Sequence, residues 1–201
     1  DQIRAQLDVN LWGVMRVTRA ALRVFREVNP QPVGGRLLQI SSIGGFRAGP
    51  SLSIYHASKF AIEGFSESIA GEVKPEWNIK VTIIQPGGFN TDWAGRSLVV
   101  TEPHPAYEGS PAANVRAFFG SPEGRASVIQ FGDPRRAAAA ILEVSRAAEP
   151  PLKLPLGPDA VGLVLSKLEQ VQTELEKWRA LSTSTSDKPD QLLTAADLAA
   201  L

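Results

Sequence analysis

The chain has 201 residues, of which 43% are hydrophobic, 21 are basic, 21 are acidic and none is cysteine. This length suits one domain with an ordinary core, and the balanced charge argues against nucleic acid or an anionic membrane as a partner. The lack of cysteine excludes a disulfide framework and thiolate chemistry, and the two histidines, far apart and without carboxylates at ligand spacing, leave no metal site to expect.

The sequence has neither an apolar run approaching the ~20 residues of a membrane span nor the pattern of a secretory signal at its start. We therefore expect a cytoplasmic protein with no membrane partner.

The first predicted element is a helix with an apolar stripe at helical period, formed by residues 3, 7, 11, 14, 21, 25 and 28. It should end near Asn29-Pro30, before a proline- and glycine-rich loop. Asn10 falls inside this helix, where Asn is a mediocre helix former. Its side chain is either a plain exposed amide or a functional group.

Two predicted strands flank the next helix. Leu37 to Ile40 is an apolar run followed by Ser41-Ser42, a helix should run from Ser53 to about Glu72, and Val81 to Gln85 should form the second strand. In an open parallel sheet, ligands bind beyond the carboxyl ends of the strands. The serines and the Pro86-Gly87-Gly88 turn both fall at such ends.

Residues 89–130 are rich in proline and glycine and predict a long, irregular, partly helical segment. Such segments often serve as lids, and this one follows the Pro86-Gly87 turn, so we expect it to cover a substrate. Its aromatic residues Trp93, Phe118 and Phe119 favour an apolar, bulky substrate, with Trp93 as a contact. Alternatively, these aromatic side chains simply bury themselves.

The last third of the chain predicts a helix, a short strand and a long helix. Asp133-Pro134 is a cap followed by proline in the first turn, residues 151–156 should form an edge strand, and a long helix should begin at Asp159. Its apolar residues at near-heptad spacing fit a coiled-coil seam or an amphipathic helix lying on the domain. We expect one domain over residues 1–181 and a flexible tail over 182–201, after a serine- and threonine-rich joint.

Tyr55 and Lys59 carry the strongest chemical signal in the sequence. A phenol has an ordinary pKa near ~10, so it is a poor base unless something favours its anion. A lysine four residues later lies on the same face of a helix and brings a positive charge to the phenol. We expect Lys59 to lower the pKa of Tyr55, and Ser42 to orient a reacting oxygen.

These residues resemble the classical short-chain dehydrogenase/reductase family. Four motifs occur in the family's order: Asp8-Val9-Asn10-Leu11-Trp12-Gly13, Ile40-Ser41-Ser42, Tyr55-x3-Lys59 and Pro86-Gly87-x3-Thr91. The resemblance is firm from residue 1 to about residue 92 and looser afterwards. It implies an α/β fold, the carboxyl-terminal half of a Rossmann-like, doubly wound parallel sheet with about three strands and flanking helices.

The resemblance also implies a function and its residues. The chain would interconvert an alcohol and a carbonyl with NAD or NADP, on a small apolar substrate, as a homodimer or homotetramer. The catalytic set would be Asn10, Ser42, Tyr55 and Lys59, with Ser42 and Trp93 at the substrate. The cofactor would be bound by Tyr55, Lys59, Pro86, Gly87, Phe89 and Thr91.

One feature of the family is absent from the sequence. No Gly-x3-Gly-x-Gly turn, which would bring backbone amides and a helix N-terminus to the cofactor phosphates, occurs in this chain. At about 30 residues per βαβ unit, roughly 90 residues of the family pattern are missing. The alternatives are a fragment of a full dehydrogenase or a shortened, non-catalytic relative that keeps only assembly or apolar ligand-binding surfaces.

Overall fold

The computed structural model describes residues 1–93, 98, 103–124 and 132–199, with the side chains of residues 198 and 199 left aside. Its sheet has three parallel strands in the order β1-β2-β3, namely β1 (Gly35–Ile40), β2 (Ile79–Pro86) and β3 (Lys153–Leu156). The predicted α/β class with a parallel three-stranded sheet is confirmed. Strands β1 and β2 each begin two residues earlier than the apolar runs indicated, since Gly35 pairs with Ile79 in register.

Helices connect and cover these strands. Their bounds are α1 (residues 2–28), α2 (Ser53–Glu72), α3 (Pro111–Gly120), α4 (Pro134–Arg146), α5 (Pro158–Thr183) and α6 (Ala195–Ala199), with short 3-10 turns at Ile43–Gly45, Pro75–Trp77 and Pro105–Tyr107. The turns of α1 widen to a π-helical form at Asp8–Gly13 and again at Val24–Val28. The predictions for α1, α2, α4 and the start of α5 are confirmed to within two residues.

Alternation along the strands divides the core into two faces. On one face, Ile84 and Leu156 form a buried cluster with Val144 of α4, packed around by Leu38, Phe89, Ala137, Ala140, Ile141 and Leu154. On the other face, polar side chains join the sheet to its helices: Gln39 of β1 donates a hydrogen bond to Thr18 of α1 at 2.8 Å. Helices therefore lie on both faces of the sheet, as a doubly wound fold requires.

Local chemistry accounts for two of the helix starts. The Asp133 side chain accepts a hydrogen bond from the Arg135 amide at 2.8 Å, with Pro134 in the first turn. Ser110 caps α3 in the same way, accepting from the Ala113 amide at 3.2 Å, with Pro111 in the first turn. Both caps satisfy amides that would otherwise lack a partner at the start of a helix.

The backbone contacts divide the chain into two compact units, Asp1–Val164 and Leu165–Leu201. This boundary lies within α5, whereas the sequence placed the end of the domain near residue 181. The second unit contains the rest of α5 and the short helix α6, which the sequence did not predict. In the part of the chain that the structure describes, none of the helices combines the length and apolar character needed to cross a bilayer.

Candidate active site

Three chain segments meet at the carboxyl end of the sheet. The segment after β1 carries Ser41 and Ser42, the segment after β2 carries Gly87 and Gly88, and β3 is followed by Gly157. Parallel pairing brings these ends together, because Ile40 is opposite Ile84 and Pro86 is opposite Leu156. The site is therefore at the edge where open α/β sheets bind ligands.

Ser42, Tyr55 and Lys59 meet at this edge. The Ser42 side chain lies close enough to the Tyr55 phenol to act on its pKa, and the Lys59 ammonium lies 5.9 Å from the centre of the Tyr55 ring. Lys59 also donates to the backbone carbonyl of Ile40, the last residue of β1, at 3.0 Å. The i, i+4 spacing on α2 thus places both side chains on one face, against the end of the strand that leads to Ser42.

The pKa of Tyr55 departs from the expectation. Burial raises the pKa of the Tyr55 phenol above its ordinary value, and the interaction with the Ser42 side chain only partly opposes this. The predicted lowering is wrong for this structure, because the sequence argument weighed the lysine charge and had no measure of burial. The phenol is therefore protonated at neutral pH and suited to donate a proton.

The lysine is subject to two opposing effects. Burial lowers the pKa of the Lys59 ammonium, while the negative charge of Glu63, one helical turn further along α2, acts to raise it. An ammonium has three N–H donors, and within the described residues the Ile40 carbonyl is its hydrogen-bond acceptor. Lys59 thus has donors left for a ligand.

Asn10 reaches the site through an intermediate residue. It lies in the widened turn of α1 and its amide donates to the Ser58 hydroxyl at 3.2 Å, while Ser58 donates to the Tyr55 carbonyl at 2.7 Å. Ser58 is fully buried and precedes Lys59 directly. Asn10 therefore ties α1 to the stretch of α2 that carries the tyrosine and the lysine.

The His56 side chain holds the loop after Ser42. Its Nδ1 lies 2.8 Å from the Gly44 carbonyl, and its Nε2 accepts from the Gly49 amide at 3.1 Å. The neutral tautomer with the proton on Nδ1 satisfies both partners. This histidine thereby supports the loop that carries the serine.

The predicted cofactor-binding residues after β2 differ in which of their groups are free to contact a cofactor. The Gly87 amide donates to the Leu156 carbonyl at 2.9 Å and the Gly88 amide to Asp159 Oδ2 at 2.7 Å, so neither amide is free for a ligand. The Phe89 side chain packs on the core cluster, which leaves only its backbone for a cofactor. Thr91 is exposed, and its hydroxyl accepts from the Trp93 amide at 3.4 Å.

Trp93 lies beside the tyrosine. Its ring centre is 6.2 Å from that of Tyr55 and 5.6 Å from that of Phe119 on α3. The tryptophan is half-buried, so both sequence readings, substrate contact and self-burial, fit this position. The expected lid also includes residues 94–97, 99–102 and 125–131, which lie outside the described residues.

Sequence reasoning missed several polar residues that organise this edge, namely Ser41, Ser58, Glu63, Gln85 and Asp159. One signal was present: Gln85 lies inside an apolar strand, and a buried polar side chain requires a partner. That partner is Glu63 on α2. The sequence did not predict this pair, because the two residues are 22 positions apart in the chain.

Comparison with known proteins agrees with this fold. The family description "short chain dehydrogenase" matches residues 1–98. An uncharacterized oxidoreductase of Schizosaccharomyces pombe is 41% identical over 186 residues, covering 92% of this chain and 61% of the relative. A 3-ketodihydrosphingosine reductase of Bacteroides thetaiotaomicron is 32% identical over 160 residues, covering 79% of this chain and 55% of the relative.

A solved structure shows that the similarity extends to the fold. A short-chain dehydrogenase from Streptomyces avermitilis superposes with a TM-score of 0.76 at 34% identity, covering 92% of this chain and 63% of that protein. The fold is that of a Rossmann-like α/β protein, with Ser42, Tyr55 and Lys59 at one edge of its sheet. These matches support a member of the short-chain dehydrogenase family, as the sequence motifs predicted. It spans about three fifths of the length of the curated relatives that it matches.

Proposed function

We propose that this chain carries the proton-transfer and nicotinamide-side part of an NAD(P)-dependent oxidoreductase that interconverts an alcohol and a carbonyl. The observation that supports the proposal is the meeting of Ser42, Tyr55 and Lys59 at the carboxyl end of β1. A proton donor, a second hydroxyl and a cation at one point are the groups that a developing alkoxide needs.

Each residue has a role in carbonyl reduction. Tyr55, whose raised pKa keeps it protonated, donates its proton to the carbonyl oxygen as that oxygen gains negative charge. Ser42 donates a hydrogen bond to the same oxygen and stabilises the charge. Asn10 holds α2 in place through Ser58. In the oxidation direction the same phenol receives the proton.

The residues present fit the nicotinamide end of a dinucleotide. The remaining N–H donors of Lys59 suit ribose hydroxyls, and the Pro86-Gly87 turn together with Thr91 borders the same edge. When bound, the nicotinamide supplies or accepts the hydride. Trp93 and Phe119 form an apolar wall beside Tyr55, which favours a substrate with an apolar chain.

A ketone on a long aliphatic chain is the substrate class to test first, since one relative is a 3-ketodihydrosphingosine reductase. The purified chain is mixed with NADH or NADPH and 3-ketodihydrosphingosine, and loss of nicotinamide absorbance is followed. Tyr55→Phe should lower the rate by about 10²–10⁴-fold, the usual contribution of a general acid. Tyr107→Phe, which removes the only other tyrosine, is the matched control and should keep the rate.

Cofactor binding separates the enzyme from its alternative. Nicotinamide fluorescence should change on mixing with the wild-type chain and with Tyr55→Phe alike, because the phenol acts mainly in the chemical step. A shortened, non-catalytic relative would bind neither NADH nor NADPH. A Tyr55→Phe variant as active as the wild type would reject the assignment of the proton donor.

A further inference from the structure

Glu63 is a buried carboxylate that the proposed reaction does not use. It lies on α2 one turn after Lys59 and is only 4% exposed. Burying a carboxylate without partners costs free energy. The groups that bind the Glu63 carboxylate therefore indicate its role. They come from β2, from β3 and from the residue that directly follows β1.

The hydrogen bonds of Glu63 come from the carboxyl ends of β1 and β2. The Ser41 hydroxyl donates to its Oε1 at 2.8 Å. The Gln85 amide donates to both oxygens, at 2.9 Å to Oε1 and 2.8 Å to Oε2. Ser41 immediately precedes Ser42, and Gln85 immediately precedes Pro86. The carboxylate therefore joins the two segments that border the candidate active site.

The charge of Glu63 is balanced from both sides. Lys153, the first residue of β3, places its ammonium 3.8 Å from Glu63 Oε2 and 3.0 Å from Glu67 Oε2. On α2 itself, Lys59 precedes Glu63 by one turn, and Tyr55 precedes Lys59 by another. Ser41 and Gln85 are neutral. Glu67 is the remaining charged group in this set, and its side chain is 56% exposed.

The backbone after Ser42 covers the carboxylate. A Cβ added to Gly45 would lie 2.5 Å from Ser41 Oγ and 2.6 Å from Glu63 Oε1, so only a glycine allows this loop to approach so closely. Gly44 and Gly45 are both buried. Water is thereby kept from the carboxylate, and an electrostatic interaction is stronger where water is excluded.

We propose that Glu63 is a positioning residue for the active site: its carboxylate fixes Ser41, and thus Ser42, and places a negative charge one helical turn from Lys59, beside Tyr55. The proposal deepens the proposed function and rests on it for its catalytic meaning. The physical coupling of Glu63 to Lys59 is measurable without any reaction.

The direction of the coupling follows from the charges. Burial lowers the pKa of Lys59, and the Glu63 charge is the effect that opposes it. Loss of that charge should leave burial unopposed, so Lys59 should lose its proton at lower pH. A purely structural role for Glu63 would alter stability and leave the titration of Lys59 unmoved.

The test is a titration of the lysine side chains by NMR in the full chain, carrying ¹³C- and ¹⁵N-labelled lysine, with the Lys59 signal assigned from Lys59→Arg. Glu63→Gln removes the charge and keeps the shape. Glu67→Gln is the matched control, because it removes an equal charge from the same helix and from the same Lys153, at an exposed position. The expected result is a midpoint for Lys59 at lower pH in Glu63→Gln, and a smaller displacement in Glu67→Gln.

Equal midpoints in Glu63→Gln and the wild type, or equal displacements in the two variants, would overturn the proposal. Lys153 keeps its 3.0 Å partner Glu67 when Glu63 is neutral, so folding should survive. If Glu63→Gln does not fold, the same comparison is made between Lys153→Met and Lys153→Met/Glu63→Gln, where no buried cation is stranded. A displaced midpoint in a chain without reductase activity would keep the coupling and reject the proposed function.

Discussion

The Asp159 side chain lies so close to the Gly87 backbone that residue 87 has no room for a side chain. Substitutions at these two positions should therefore affect stability in a coupled way. The Asp159 carboxylate on the first turn of α5 accepts the Gly88 amide at 2.7 Å. A Cβ added to Gly87 would lie 2.5 Å from Asp159 Oδ1 and 2.6 Å from its Cγ, far inside the ~3.5 Å of a normal contact. The glycine is therefore required by a protein carboxylate, whatever a cofactor also needs there.

The magnitudes follow from these contacts. Gly87→Ala should cost about 1–3 kcal/mol in free energy of unfolding, the usual range for overpacking. Asp159→Ala should cost about 1.5–3 kcal/mol for a hydrogen bond to a charged group. The second value should fall near its lower limit, because Asp159 Oδ1 is buried without a hydrogen-bond partner in the described part of the chain and its removal relieves that penalty.

The double variant is the informative one. Once Asp159 is alanine, the new methyl group at residue 87 meets no carboxylate, so Gly87→Ala/Asp159→Ala should be less destabilised than the sum of the single variants. Residues in direct contact usually couple by about 0.5–3 kcal/mol. Each kcal/mol should lower the melting temperature by about 2–4 °C in a protein of this size.

Urea unfolding followed by circular dichroism measures all three variants. Gly64→Ala is the control, since a Cβ there has nothing within 4 Å and alanine in a helix is favoured over glycine by about 0.5–1 kcal/mol. Strict additivity of the two substitutions, or a Gly87→Ala variant as stable as Gly64→Ala, would refute the reasoning.

Two further predictions concern single side chains. His56→Ala should cost about 1–3 kcal/mol in urea unfolding, because the buried Gly44 carbonyl loses its 2.8 Å partner. His104→Ala removes an exposed cap that accepts from the Ala106 amide at 3.2 Å, so it should cost about 0.5 kcal/mol, the low end for a lost cap; equal losses would contradict this. In Tyr107→Phe, the remaining Tyr55 should form phenolate at higher pH in the folded chain than in urea, by ultraviolet absorbance. Burial raises the pKa of Tyr55, so its stabilising contribution should be complete below the ordinary value and lost as pH rises through the raised one. A folded midpoint at or below that in urea would count against the raised pKa.

Much of the fold was readable from local pattern. Apolar runs of strand length, a helical stripe and the Asp133-Pro134 cap each depend on residues close together in the chain, so the sequence predicted β1, β2, α2 and the start of α4. The same holds for Tyr55 and Lys59, since a helix places residues four apart on one face.

The wider organisation of the site depended on tertiary contacts. The partners of Asn10, Glu63 and Asp159 are separated from them by 48, 22 and 71 residues. No local period encodes such pairs, and the sequence therefore identified Asn10 without Ser58 and passed over the two carboxylates.

Sequence alone determined which groups this protein can bring to a reaction: a phenol, an amine, a hydroxyl and an amide, in an order shared with one enzyme family. Only the tertiary structure decided how the pKa of the phenol is shifted. A charge four residues away favours the phenolate, but exclusion of water by the surrounding segments raises the pKa of Tyr55. Burial is a property of the packed chain, so its effect on this pKa cannot be found from the residues near Tyr55 in the sequence.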